Sequence, residues 1–410
     1  MFAANFPPRP AGKDALRTMK IAIPKERRPH ERRVAASPDT VTKFIGLGFD
    51  VVVETGAGDG AAITDAAFTE AGATVVADGA AALGDADVVL KVQRPLIGGA
   101  DGADEVAEMK KGAILIGMLI AQQHPDDVAA WEKAGLTAFS LELLPRITRA
   151  QSMDVLSSQS NLAGYKAVLD GAQEFGRAFP MMMTAAGTIA PARVLILGAG
   201  VAGLQAIATA RRLGAVVSAY DVRPVVKEQV ESLGAKFVEV DAGAIREAET
   251  EAGYAKEMGA DYRNKQERVL ADVLAKQDVA ICTALIPGRP APVLITEDMV
   301  KSMRPGSVIV DLAVEQGGNC PLSVYGEVVV RHGVTIVGHA NVPSRLARDT
   351  TAMYARNLLN FLTPLVDAET KELAIDWDDE IIKACLITRD GKLVHPSLTD
   401  APEEAAEAAS

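Results

Sequence analysis

Val194–Asp221 reads VLILGAGVAGLQAIATARRLGAVVSAYD, and the fold is decided in this stretch. Val194 to Leu197 is an apolar run with the length of a buried strand. Gly198, Gly200 and Gly203 complete a G-x-G-x-x-G, Leu204 to Leu213 continues with helical periodicity, and Val216 to Tyr220 is a second strand that ends on Asp221. Gly198 permits the sharp turn out of the strand, Gly200 keeps the backbone bare for a pyrophosphate, and Gly203 lets the helix lie close on the sheet. The amides and positive dipole end of that helix suit phosphate. Asp221, about 18 residues past Gly203, is placed to accept hydrogen bonds from ribose hydroxyls. Its charge repels a 2′-phosphate and so favours NAD(H) over NADP(H). Arg223, two residues on, pulls the other way, because an arginine there could serve that phosphate.

At 410 residues the chain exceeds what one hydrophobic core serves, so two domains are expected. A net charge of −12 argues against a nucleic-acid partner, whose phosphates require a basic face. Cys282, Cys320 and Cys385 lie far apart with no C-x-x-C, and the five histidines lack ligand spacing, so neither a disulfide framework nor a metal site is expected. The longest apolar run, Gly112 to Ala121, is too short to span a bilayer. Residues 1–18 lack the apolar segment of a secretory signal and read as a disordered extension; 400–410 reads as an acidic, alanine-rich tail.

From Lys20 the chain alternates short strands with helices, the pattern of a parallel sheet covered on both faces. Strands are expected at Ile21–Ile23, Val51–Glu54, Thr74–Val76, Val88–Val92, Ala113–Leu119 and Thr137–Leu141. Next comes a polar loop with Arg146, Gln151 and Asp154, then a helix from Ser157 to about Phe175. After Asp221 the pattern predicts a helix over Pro224–Leu233, a strand over Phe237–Val240, either a mobile loop or a surface helical excursion over Asp241–Arg263, and a helix from Asn264. The turn-rich ALIPGRPAP from Ala284 and AVEQGGNC after Asp311 fall on the carboxyl edge of the sheet, where ligands of such folds sit. A short hairpin is expected around Tyr325–Val330, and an Asp390-Gly391 turn within Ile381–Val394. The expected fold is α/β: two Rossmann-like, doubly wound domains, with the NAD-binding one (161–344) inserted in the first (19–160 and 345–399).

KIAIPKERRPHERRVAAS (Lys20–Ser37), KVQRP (Lys91–Pro95), RITRAQSMDVLSSQSN (Arg146–Asn161), the glycine fingerprint and IVDLAVEQGGNC (Ile309–Cys320) together resemble the alanine dehydrogenase/transhydrogenase family, over nearly the whole chain. Within it, the likeness is to the branch of the proton-translocating transhydrogenases. That resemblance implies NAD(H) on this chain, NADP(H) on a partner subunit, membrane-spanning subunits that couple hydride transfer to proton movement, a homodimer, and a cytoplasmic place at the inner membrane. It implies that Arg146, Gln151, Asp154 and Ser157 surround the nicotinamide ring and aim it. Val201, Asp221, Arg223, Gly253, Gln266 and Leu285 fall on cofactor-binding positions, and Tyr254 on the loop that closes over NAD(H). The dehydrogenase branch uses Arg33 and Lys91 for its 2-oxo acid, a histidine where this chain has Met118, and an aspartate where it has Glu315. Reductive amination needs an acid/base near neutrality. Methionine cannot supply one, whereas transfer between two nicotinamides moves no proton at carbon. The competing readings are an alanine dehydrogenase and a non-catalytic NAD(H)-binding module.

Overall fold

Lys20–Ile23 pairs in parallel with Asp50–Glu54 on one side and Val88–Gln93 on the other, and the first sheet grows outward from it. Residues 18–99, 103–240, 260–286 and 289–399 are described by this computed structural model. Gly253, Tyr254 and the stretches 1–17 and 400–410 lie outside the described residues, as does most of the stretch 241–263. From one edge the first sheet runs Thr74–Val76, Asp50–Glu54, Lys20–Ile23, Val88–Gln93, Ile114–Met118 and Thr137–Ser140, all parallel. Two antiparallel strands from the far end of the chain, Leu386–Arg389 and Lys392–Leu393, complete it. Their turn places Asp390 at φ 52° and Gly391 at φ 71°, the left-handed pair that an Asp-Gly hairpin favours.

The second sheet repeats this plan: Lys236–Phe237, Val216–Tyr220, Arg193–Leu197, Val279–Cys282, Val308–Asp311 and Val334–Val337 run parallel, with Val328–Arg331 antiparallel at the edge. Counted along the chain, both sheets have the order 3-2-1-4-5 over their first five strands, and both reverse direction between the first strand and the fourth. Alternate residues feed opposite cores: Ile21 and Ile23 face one cluster and Ala22 another, as Val194 and Ile196 do against Leu195 and Leu197. Burial on both faces explains why these strands read as continuous apolar runs. The nucleotide-type fold is inserted in the first, since the chain returns through Ala347–Leu362, whose Tyr354 and Leu358 pack in the first core.

Several boundaries differ from expectation. The helix expected from Ser157 is Val155–Glu174 (α1), because Asp154 caps it and accepts the Ser157 amide at 2.8 Å. It lies against Val201–Arg212 (α2) so tightly that a Cβ on Gly164 would fall 2.0 Å from the Ala202 carbonyl oxygen. The strand expected over Phe237–Val240 is only Lys236–Phe237. Residues 260–263, the end of the stretch read as a mobile loop or a helical excursion, belong to the helix Ala260–Leu274 (α3). The hairpin expected around Tyr325–Val330 lies further on, pairing Val328–Arg331 with Val334–Val337 around the positive-φ pair His332 and Gly333. Met182–Thr184 and Gly187–Ile189 form a separate antiparallel hairpin, exposed at every residue, that the methionine run did not announce.

Candidate functional site

The reversal of strand order in the second sheet opens a crevice between the ends of Arg193–Leu197 and Val279–Cys282, where ligands of such sheets bind. Each fingerprint glycine has its own reason there. Gly198 has φ 98°, and a Cβ on it would fall 2.7 Å from Thr283 Oγ1. A Cβ on Gly203 would fall 1.9 Å from the Gly198 carbonyl oxygen, so the turn and the first turn of α2 touch. By contrast, a Cβ on Gly200 meets nothing within 4 Å. The space over Gly200, at the N-terminus of α2 beside the exposed Val201, is therefore free for a phosphate, and these residues fit a dinucleotide pyrophosphate. Leu285 is exposed on the opposite wall.

Asp221 ends Val216–Tyr220 and is nearly buried. Its Oδ2 accepts from the Ala199 amide at 2.7 Å and from Arg223 Nη2 at 2.9 Å, and its Oδ1 from the Arg223 amide and Nε, each at 2.9 Å. The arginine whose charge could have served a 2′-phosphate is thus turned back on the carboxylate. All four acceptor directions of Asp221 are in use, so a ribose hydroxyl must displace part of that pair. Beside it the Tyr220 and Tyr262 hydroxyls lie 3.3 Å apart, which ties α3 to this strand end. Burial, then the bond to Tyr262, pushes the Tyr220 hydroxyl far above its ordinary pKa. Gln266, half-buried, is one turn beyond Tyr262 on α3.

The polar loop sits at the other end of α1. Asp154 Oδ2 accepts from Ser157 Oγ at 2.5 Å, so these two are joined at the helix cap. Arg146 and Gln151 are exposed. Ser157 precedes Gly164, the point of contact with α2, by seven residues, roughly 10 Å of helix. Arg149, which sequence reasoning did not single out, binds Asp379 through both terminal nitrogens, at 2.5 and 2.9 Å, and fastens the loop to the C-terminal part of the first domain.

Arg33 and Lys91 are buried and internally paired. Arg33 donates to Glu31 through Nε at 2.8 Å and Nη2 at 2.7 Å, and to Gln159 Oε1 through Nη1 at 2.8 Å. Burial alone would raise the Glu31 carboxyl; Arg33 and Gln93 hold it down at about 2. Lys91 Nζ lies 3.0 Å from Glu105 and 3.2 Å from Glu26. Burial pushes Glu26 up to about 7 against the pull of Lys91. The Met118 amide donates to the Tyr354 hydroxyl at 3.0 Å, which itself donates to the Lys91 carbonyl. Glu315 accepts the Asn341 amide at 2.5 Å, and Asn341 Nδ2 donates to Glu31, so a strut of side chains joins the two domains. Asn341 was missed in sequence because its partners are far away along the chain; Glu31 has Arg33 two residues on, but meets Gln93 and Asn341 only across the fold.

Comparison with known proteins agrees with this geometry. Residues 22–163 match the family described as alanine dehydrogenase/PNT, N-terminal domain, and 167–396 its C-terminal domain. The chain is 64% identical over 381 residues to the first portion of the NAD(P) transhydrogenase subunit alpha of Rhodospirillum rubrum, covering 93% of this chain and 99% of that one. It is 33% identical to an alanine dehydrogenase of Halomonas elongata, covering 93% and 96%. The crystal structure of a transhydrogenase from Sinorhizobium meliloti superposes with a TM-score of 0.82 at 51% identity, covering 92% of this chain and 100% of that one. With both domains matched, a glycine-lined crevice in the second and the same strand order in each, the chain belongs to the alanine dehydrogenase/transhydrogenase family.

Proposed function

We propose that this chain is the NAD(H)-binding subunit of a proton-translocating transhydrogenase, exchanging hydride directly with NADP(H) held on a separate subunit. The observation that carries this reading is the internal pairing of Arg33 and Lys91. In a 2-oxo acid dehydrogenase these two cations must be free to meet a carboxylate and a carbonyl; here Glu31, Gln159, Glu26 and Glu105 take up their hydrogen bonds. With Met118 at the proton-donor position, the chemistry left is one that moves no proton at carbon. Hydride leaves C4 of NADH to give NAD+ and arrives at C4 of NADP+ to give NADPH.

The task of this chain is then grip and aim. Gly198, Gly200, Val201 and Gly203 receive the pyrophosphate. Asp221 takes the ribose hydroxyls as Arg223 yields, with Gln266, Leu285, Gly253 and Tyr254 completing the pocket. Arg146, Gln151, Asp154 and Ser157 hold the nicotinamide and present it toward the partner. No helix among the described residues is long and apolar enough to cross a membrane; proton coupling belongs to membrane-spanning subunits and this chain to the cytoplasmic face, as the family resemblance implies. The exposed hairpin, with Met181, Met182, Met183 and Ile189 in water, supports a homodimer.

The test uses the purified chain. It should bind NADH, reduce NAD+ negligibly with L-alanine, and transfer hydride only when an NADP(H)-binding subunit is added. Robust alanine oxidation by the chain alone would refute the proposal, and NADH binding with no transfer to any cognate partner would favour a non-catalytic module.

A further inference from the structure

The loop AVEQGGNC follows Val308–Asp311 at the same sheet edge, yet apart from Glu315 none of its residues has a part in the reading above. Asp311, at the end of Val308–Asp311 and 1% exposed, gathers it: Oδ1 accepts the Ala313 and Asn319 amides at 3.0 and 3.2 Å, and Oδ2 accepts the Cys320 amide at 3.1 Å and Ser323 Oγ at 2.7 Å. Asn319 is thereby brought under the opposite wall of the crevice with its side chain fully buried. Its Nδ2 donates to the Ala284 carbonyl at 2.9 Å and to the Pro292 carbonyl at 2.8 Å, while its Oδ1 accepts the Ala284 amide at 3.1 Å. Its backbone carbonyl accepts the Leu294 and Ile295 amides at 2.9 and 3.0 Å. One residue therefore pins both the chain leaving toward Leu285 and the chain returning at Pro292.

We infer that Asn319 is a positioning residue for NAD(H), acting through the Ala284–Leu285 wall that it fixes. The chemistry is specific to a primary amide: two carbonyls need two N–H donors and one amide needs an acceptor, and of the standard side chains only Asn and Gln offer that set. Aspartate has the same shape and no donor. The residue is read as touching neither ring nor phosphate, so its effect passes through Leu285, 40% exposed and next to Ala284, whose amide lies 3.1 Å from where a Cβ on Gly198 would be.

This inference rests on the crevice being the NAD(H) site, and NADH titration of the full chain separates the two. Asn319→Ala and Asn319→Asp should each raise the NADH dissociation constant ~10-fold by leaving the Ala284 and Pro292 carbonyls unpartnered, while the cooperative thermal transition persists. Leu285→Ala should weaken NADH ~5-fold, and the Asn319→Ala/Leu285→Ala pair should be no weaker than the worse single, because both act on one wall. A purely structural role for Asn319 would not show that coupling. Fully multiplicative losses would overturn the inference, as would unchanged NADH affinity in both Asn319 variants or loss of the cooperative transition in both. If the unaltered chain shows no saturable NADH binding, the cofactor reading itself fails.

Discussion

Two crevices of one topology lie in this molecule, and they have been used in opposite ways. In each sheet the strand order reverses between the first and fourth strands. At the first sheet's reversal, Glu26 follows Lys20–Ile23 and Lys91 projects from Val88–Gln93, and the two meet with Glu105 in a buried ion cluster. At the second sheet's reversal stand Gly198, Gly200 and Thr283, and the space over Gly200 is open. Topology makes a place for a ligand, but the side chains decide whether the protein fills that place itself. Charges paired inside cost desolvation and need every partner. Glycines leave the site for something else to occupy.

The largest test of this contrast is Lys91→Ala. Removing the lysine strands Glu26 and Glu105 in a buried site and should lower unfolding free energy by ~3–5 kcal/mol in chemical denaturation. NADH affinity of the folded fraction should be unchanged; a large affinity loss would mean that the first crevice also takes part in binding. On the other side of the comparison, Gly203→Ala forces a Cβ against the Gly198 carbonyl and should cost ~1–3 kcal/mol of stability as well as NADH binding. Gly200→Ala separates these effects: with nothing within 4 Å it should stay within ~0.5 kcal/mol of the parent yet bind NADH at least ~10-fold more weakly. Parent-like binding by that variant would remove the pyrophosphate from this turn.

Gln151→Asn should slow hydride transfer ~10-fold with NADH affinity within about twofold, since a shortened side chain loosens aim more than grip. A large affinity loss with normal turnover would contradict the aiming role. The smallest effect is one of pH. The folded Glu26 carboxyl titrates near 7 against an ordinary 4.5, so its stabilising contribution is present below 4.5 and is lost as pH rises through 7. Glu31 has the opposite sign, but its window, from 4.5 down to about 2, lies lower. Glu26→Gln should therefore flatten the fall in stability between pH 5 and pH 8, measured by denaturant midpoint. An unchanged slope would place the titration elsewhere.

Much of the second crevice was legible because its signals are local. A turn, a close approach and an open cradle each require glycine within a few residues of a strand end, so their spacing survives in one dimension. Asp221 was legible for the same reason; its capture by Arg223 was a matter of rotamer and was not. The polar loop was visible as composition, but that Asp154 and Ser157 form a helix cap emerged only with the backbone. The hairpin of Met182–Thr184 and Gly187–Ile189 was hidden because its apolar residues are exposed and follow no core periodicity.

By itself the sequence determined the alternation of strand and helix, the position of the glycine turn and the small residues that let helices approach, since these depend on neighbours a few positions apart. Tertiary structure decided which charges are spent and which remain available. Arg33 finds Gln159 126 residues away and Asn341 308 residues away, and Asn319 reaches back to Ala284 across 35. No local pattern encodes such pairings, because a buried charge or amide takes whatever complementary group the packed chain brings within hydrogen-bonding distance.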